Sequence, residues 1–327
     1  MKKIFLFLSF ISCHFFAQSQ VKIANIGDFT TIKGAIIKDC KIGYLTLGQL
    51  NSSKSNAILF PTYFSGKSTD IKGSAAAWVD TTKFCVILVD ALGNGISSAP
   101  SNTENFPEIS IRDMVNSQYI FLTKTLSISH LHAIMGVSMG GMQTFEWMVA
   151  YPNFMTKAIP IVGSPKQSYY DVLLWKAEWD AIETAGNNPD ARREAMRKVA
   201  EIHNLHLFTP AYWNKSKKAD EAYNDIQKMG DDYTKGNHPE NWISQIKAML
   251  GQDIYQSSGK SMSEISGHIK AQTMIIVATQ DQMVNPASAI ELGKILNVKI
   301  VELTGNCGHV ATACESDKVR EAVRSFL

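Results

Sequence analysis

The chemically most pointed stretch of this 327-residue chain is Gly136-Val137-Ser138-Met139-Gly140, a serine with glycine two positions to either side. Its neighbours give the pattern meaning. Leu131 to Met135 is a short apolar run suited to a buried strand. Met142 to Ala150 carries apolar residues at helical spacing and stops at Tyr151-Pro152. Strand, G-x-S-x-G and helix in succession predict a nucleophile elbow. A serine at that turn is forced into a strained backbone conformation, and its hydroxyl stands above the sheet edge. The glycines keep side chains from colliding there, and the following helix turns free N–H groups towards any oxyanion formed nearby. The rival reading is a glycine-rich turn that only packs a helix on a strand.

A serine hydroxyl needs a base to attack at neutral pH, and the base needs a carboxylate to hold its tautomer. On elbow-bearing folds the chain order is serine, then Asp or Glu, then histidine. After Ser138, His203, His206, His238 and His268 fall in or near a polar, helix-forming stretch. His309 alone follows the last core strand, in Gly305-Asn306-Cys307-Gly308-His309, where small neighbours leave an imidazole room to reach the elbow. His309 is therefore the candidate base, against the alternative of a solvated loop histidine. Asp281, in Gln280-Asp281-Gln282-Met283, follows a predicted strand and is the candidate acid. Its rival is Asp253, and the plainer role for Asp281 is an N-cap for the helix near Pro286. An oxyanion hole needs two N–H donors. One is expected from Met139. The other is expected from the loop Thr62-Tyr63-Phe64-Ser65-Gly66, with Phe64 the first choice and Tyr63 the alternative.

These groups need a scaffold. Buried-strand runs occur at Ala57–Pro61, Phe84–Val89, Thr156–Val162, Thr273–Ala278 and Val298–Leu303. Helical patterns occur at Ser110–Leu126, Ala287–Leu296 and Glu315–Leu327. Extended stretches around Thr30–Ile37 and Lys41–Leu47 predict an N-terminal antiparallel pair. This alternation predicts an α/β fold with a mainly parallel, doubly wound sheet. From about Ser164 to Gly267 no buried-strand run appears, and the segment is polar and helix-forming. It reads as a helical lid (residues 164–267) inserted between core segments 20–163 and 268–327.

Apolar content of 45% and charged content of 19% belong to a globular chain with ample core, without a disorder signature. A formal net charge of +2 gives no reason to expect nucleic acid or an anionic membrane surface as partner. Residues 1–19 read as a bacterial signal peptide. Lys2-Lys3 form the basic region, Ile4 to Phe16 the apolar region, and Ala17-Gln18-Ser19 the small-residue site before Gln20. The expected destination is periplasmic or secreted, with no membrane attachment after cleavage. A lipoprotein anchored through Cys13 is the alternative, with Phe10, three positions before it, a poor fit. Cys307 and Cys314 bracket His309, and spacing leaves open whether they form a local disulfide or stay free thiols. Cys85 sits in an apolar run and reads as a small hydrophobe. No metal-ligand spacing is present, and no metal is expected.

The run GVSMGGMQTFEWMVAYP resembles the elbow of homoserine O-acetyltransferases, which carry a similar S-M-G-G-M-Q-x-x-E-W-x-x-x-x-P. Ile111-Arg112-Asp113-Met114-Val115 with Gln118 resembles the same family's I-R-D-M-V-x-x-Q. The resemblance runs from about Asn56 to the C terminus, strong in the core and weak in the insertion. It implies an α/β-hydrolase fold with Ser138, Asp281 and His309 as the triad, and a helical lid. Members of that family often dimerise through the lid, so a homodimer stays open. Two departures stand out. The family's G-G-C-x-G-[ST]-T-G-P loop is replaced by Asp90-Ala91-Leu92-Gly93-Asn94-Gly95-Ile96-Ser97, which resembles a loop common among hydrolases. The lid arginine that holds the amino acid carboxylate has no matching segment. Arg192, Arg193 and Arg197 lie on a polar helical stretch where solvated side chains are expected. A carboxylate site without its bidentate arginine loses much of its recognition, and acetyl-CoA is a cytosolic donor. The expected function is therefore an exported serine ester hydrolase acting on a small acyl ester, without a cofactor. The alternative is an acyltransferase moving acetyl from acetyl-CoA to an amino acid hydroxyl. A non-catalytic binding protein on the same fold is the reading from another class.

Overall fold

The computed structural model describes residues 20–327. The segment read as a signal peptide, with Cys13, lies outside them. The N-terminal part forms β1 (Lys22–Asn25), β2 (Phe29–Thr30), β3 (Ile36–Ile37) and β4 (Lys41–Leu47). The expected pairing of the 30–37 stretch with 41–47 does not form. A tight turn closed by the Thr31 N–H to the Ala35 carbonyl, with Gly34 at φ 85°, folds 30–37 back on itself, so β2 pairs with β3 alone. β4 lies instead between β1 and β6 (Cys85–Val89), antiparallel to both.

The apolar runs become β5 (Ala57–Pro61), β6, β7 (Leu131–Val137), β8 (Met155–Ile161), β9 (Gln272–Ala278) and β10 (Lys299–Leu303). β5 and β6 are buried along their whole length, as expected for parallel strands covered on both faces. The main sheet has eight strands in the order β1-β4-β6-β5-β7-β8-β9-β10. From β6 through β10 all pairings are parallel. β6 lies on one side of β5 and β7 on the other, so the chain reverses its winding there. Ligands of such sheets sit beyond the strand C-termini at that switch point.

On one face α1 (Ser68–Trp78) packs near the C-terminal helix. On the other lie α2 (Ile111–Ile120) and α3 (Met139–Ala150). The helix expected over 110–126 ends its regular part at Ile120 and continues as one wide turn, Phe121–Thr125, with the Leu126 N–H bonded to the Phe121 carbonyl. Between β8 and β9 the chain forms α4 (Tyr169–Glu183), α5 (Pro189–Leu207), α6 (Pro210–Ser216), α7 (Ala222–Gly236), α8 (Pro239–Leu250), α9 (Ile254–Ser258) and α10 (Met262–His268). The chain closes with α11 (Ala287–Ile295), α12 (Ala311–Cys314) and α13 (Ser316–Phe326). None of the described helices is long and apolar enough to cross a membrane.

Candidate active site

Ser138 stands between β7 and α3 with φ 58° and ψ −121°, a left-handed conformation that costs a non-glycine residue energy. The turn closes only because its glycines are bare. A Cβ on Gly136 would lie 2.2 Å from the Gly140 carbonyl oxygen, and one on Gly140 would lie 2.6 Å from the Pro61 carbonyl oxygen. The helix can therefore start hard against the ends of β5 and β7.

His309 Nε2 lies 2.8 Å from Ser138 Oγ, and His309 Nδ1 lies 2.6 Å from Asp281 Oδ2. The three residues, far apart in sequence, form one hydrogen-bonded chain, with Ser138 6%, Asp281 7% and His309 9% exposed. The other Asp281 oxygen, Oδ1, accepts the N–H groups of Met283 and Val284 at 2.8 and 2.9 Å. Asp281 thus shapes its own turn while leaving one oxygen for the imidazole; it does not cap α11, whose N-cap is Pro286. The rival Asp253 caps α9 through the Tyr255 and Gln256 N–H groups and pairs with Lys166 at 3.0 Å.

Two further contacts hold the acid and base loops. Asp171 of α4 accepts the Asn285 N–H at 2.9 Å, just beyond the Asp281 turn. Burial raises the Asp171 carboxyl above its ordinary value, against the pull of hydrogen bonds from Ser168 and Asn285. On the other side Cys307 and Cys314 are joined in a disulfide that brackets His309. Cys85 is a buried free thiol.

The Met139 N–H opens α3 and has no hydrogen-bond partner among the described residues, and neither do those of Tyr63 and Phe64. The loop carrying the last two is pinned from several sides. Gln143 Nε2 donates to the Thr62 carbonyl at 3.0 Å. Asn94 Nδ2 donates to the Gly66 carbonyl at 3.0 Å and to Asp90 Oδ1 at 2.9 Å. Asp90 also accepts the Ser68 N–H and hydroxyl, each at 2.8 Å. The Asp90–Ser97 loop therefore ties the start of α1 to the end of β6. The two runs that resemble the acetyltransferases also meet. Gln118 Nε2 donates to Gln143 Oε1 at 2.6 Å, Trp147 Nε1 donates to Gln118 Oε1 at 2.8 Å, and Arg112 pairs with the buried Glu146.

Above Ser138 lies a cavity of about 510 Å³. Phe60, Tyr63, Phe64 and Trp78 line it from the core, and His203, Leu207, Tyr233 and Trp242 from the insertion. No arginine or lysine is among its lining residues. The expectation of solvated arginines fails for Arg192. It is only 8% exposed, and its Nε lies 2.6 Å from Glu240 Oε1, which ties α5 to α8. Arg193 donates to the Thr234 carbonyl, and Arg197 pairs with Glu194 and Asp231. Among the described residues no cluster of His, Cys, Asp and Glu is arranged to hold a metal.

Insertion residues complete the cavity, with Glu178 behind His203. Helix packing alone brings them to Ser138, and no spacing signals it.

Residues 71–312 match the alpha/beta hydrolase fold family. An ethyl acetate hydrolase from Pseudomonas veronii is 30% identical over 282 residues, covering 80% of each chain. A homoserine O-acetyltransferase from Methanococcoides burtonii is 27% identical, covering 92% of this chain and 72% of its own. Among solved structures, the acetyl esterase MekB superposes with a TM-score of 0.85 at 25% identity, covering 94% of this chain and 95% of its own. Homoserine O-acetyltransferase from Bacillus anthracis shares the fold with a TM-score of 0.83 at 21% identity, covering 94% of this chain and 97% of its own. The chain is thus an enzyme of the α/β-hydrolase fold family, similar to both ester hydrolases and homoserine O-acetyltransferases.

Proposed function

We propose that this chain is an exported serine ester hydrolase that works through Ser138, His309 and Asp281 and an acyl-enzyme intermediate. The observation that carries the reading is the continuous hydrogen-bonded chain from Ser138 Oγ to Asp281, beneath the cavity. Asp281 holds the proton on His309 Nδ1, so Nε2 offers its lone pair to the serine hydroxyl. As Ser138 Oγ attacks the ester carbonyl, the proton passes to Nε2. The oxyanion is received by the N–H groups of Met139 and Phe64, with Tyr63 the alternative second donor. His309 then protonates the departing alcohol. Water, deprotonated by the same Nε2, attacks the acyl-enzyme and frees Ser138.

The same machinery would transfer the acyl group to an alcohol if one displaced the water. The cavity carries no cationic side chain to hold an amino acid carboxylate, which favours hydrolysis over homoserine acetylation. The similarity to an ethyl acetate hydrolase supports a short acyl ester as substrate. The reading needs no cofactor, with acetyl-CoA a donor only in the transferase alternative. Export is supported by the character of residues 1–19 and by the Cys307–Cys314 disulfide, since disulfides persist in oxidising compartments.

The test is a mass-spectrometric product assay on the chain from Gln20. Acetyl-CoA and a short acetyl ester are offered as donors with homoserine present, and Ser138→Ala is the blank. Free acetate from the ester without acetyl-homoserine is the expected result. Acetyl-homoserine as the main product would overturn the hydrolase reading.

A further inference from the structure

A second carboxylate–imidazole pair faces the same cavity, and the proposed reaction leaves it unused. His203 of α5 lines the cavity wall, and its Nδ1 lies 3.0 Å from Glu178 Oε1 of α4. Glu178 is fully buried, and its other oxygen accepts Trp242 Nε1 at 3.0 Å. An indole N–H can only donate, so the acceptor role of that oxygen is fixed. With a carboxylate accepting on both sides, His203 carries its proton on Nδ1, as His309 does against Asp281. Nε2 has no protein partner among the described residues and is not sealed from solvent. The ring is surrounded by aromatics, with Phe64, Trp175 and Trp242 centroids at 6.1, 6.1 and 5.2 Å. His203 Nε2 is thus a polar edge set among aromatic rings, its tautomer set from behind.

Resting on the ester-hydrolase reading, we infer that His203 Nε2 accepts a hydrogen bond from a hydroxyl on the substrate, so that esters bearing a hydroxyl are preferred over their alkyl counterparts. Glu178 is the positioning residue that makes Nε2 an acceptor. A polar site that finds its partner gains selectivity, because an alkyl group in the same place displaces water and leaves the lone pair unpaired among those rings.

The experiment compares kcat/KM for nearly isosteric pairs. 2-Hydroxyethyl acetate against propyl acetate tests a hydroxyl on the alcohol side; ethyl 3-hydroxypropanoate against ethyl butyrate tests the acyl side. The wild type is expected to favour the hydroxylated member of one pair by about tenfold. His203→Asn keeps an N–H near Glu178 but removes Nε2, and should bring that ratio close to one. Glu178→Gln must turn its amide oxygen to Trp242 and its NH2 to His203, which moves the imidazole proton to Nε2. That variant should gain for 2-methoxyethyl acetate relative to butyl acetate, a change that loss of packing would not produce. A ratio near one for both pairs in the wild type, or a ratio unmoved by His203→Asn, would overturn the inference alone. Absence of any Ser138-dependent hydrolysis would overturn the hydrolase reading, and this inference with it.

Discussion

Gln245, on α8, accepts the Ser65 N–H at 2.8 Å and donates to the Leu92 carbonyl at 3.0 Å. A side chain of the insertion thereby holds the residue next to Phe64, one of the proposed oxyanion donors. Ser65 itself has a φ of 57°, a conformation that needs such support. Replacing Gln245 with Leu should let the loop relax and misplace that donor. Loss of a whole oxyanion donor costs about 100- to 1000-fold in kcat, so partial misplacement should cost roughly tenfold, with KM changed much less. Steady-state kinetics on a short acetyl ester checks this; an unchanged kcat would separate Gln245 from the oxyanion loop.

Ser138 stores backbone strain at φ 58°, ψ −121°. Glycine adopts positive φ freely, whereas alanine does not. Ser138→Gly should therefore raise unfolding stability by about 1 kcal/mol, while Ser138→Ala should show no such gain. Both should lose the serine-dependent activity. Chemical denaturation of the two variants beside the wild type reads the difference, and equal stabilities would mean that the turn is not strained.

The disulfide between Cys307 and Cys314 closes a short loop around His309. By the loop-entropy relation, its removal in Cys307→Ala/Cys314→Ala should cost roughly 2–3 kcal/mol of stability. The freed loop should also lower kcat, because His309 is held at 2.8 Å from Ser138 from within it. Thiol reductant should reproduce the loss of activity in the wild type and leave the double variant unaffected. Activity indifferent to reductant would show that packing alone holds the loop.

Burial is the largest influence on Asp90, and it raises the carboxyl above its ordinary value despite hydrogen bonds from Ser68 and Asn94. The folded state therefore holds the Asp90 proton more firmly than the unfolded state. The stability linked to that proton is full below the unfolded value, near pH 4, and is lost as pH rises through the folded value. Asp90→Asn removes this titration. Its melting temperature should rise relative to the wild type between about pH 4 and neutrality. A difference that stays constant across that range would contradict the assignment.

The sequence by itself determined what short-range pattern can encode. Ala57–Pro61 is apolar at every position, and it became a strand buried on both faces with the predicted bounds. The glycines around Ser138 made the elbow legible, because a Cβ there would strike backbone. His309 stood out as the histidine placed after the last core strand, and Asp281 by its place after β9. Local sequence was less decisive where two extended stretches competed: β4 took β1 and β6 as partners because Gly34 turned the 30–37 segment on itself. Only the tertiary structure decided the upper half of the cavity. Glu178, His203 and Trp242 sit on helices whose polar patterns allow several packings, and their meeting at the cavity depends on how α4, α5 and α8 cross. It also decided that Arg192 is buried in a carboxylate pair. A polar residue on a helix has no mark in its own sequence for which neighbour will cover it, since that is set by the sum of long-range contacts.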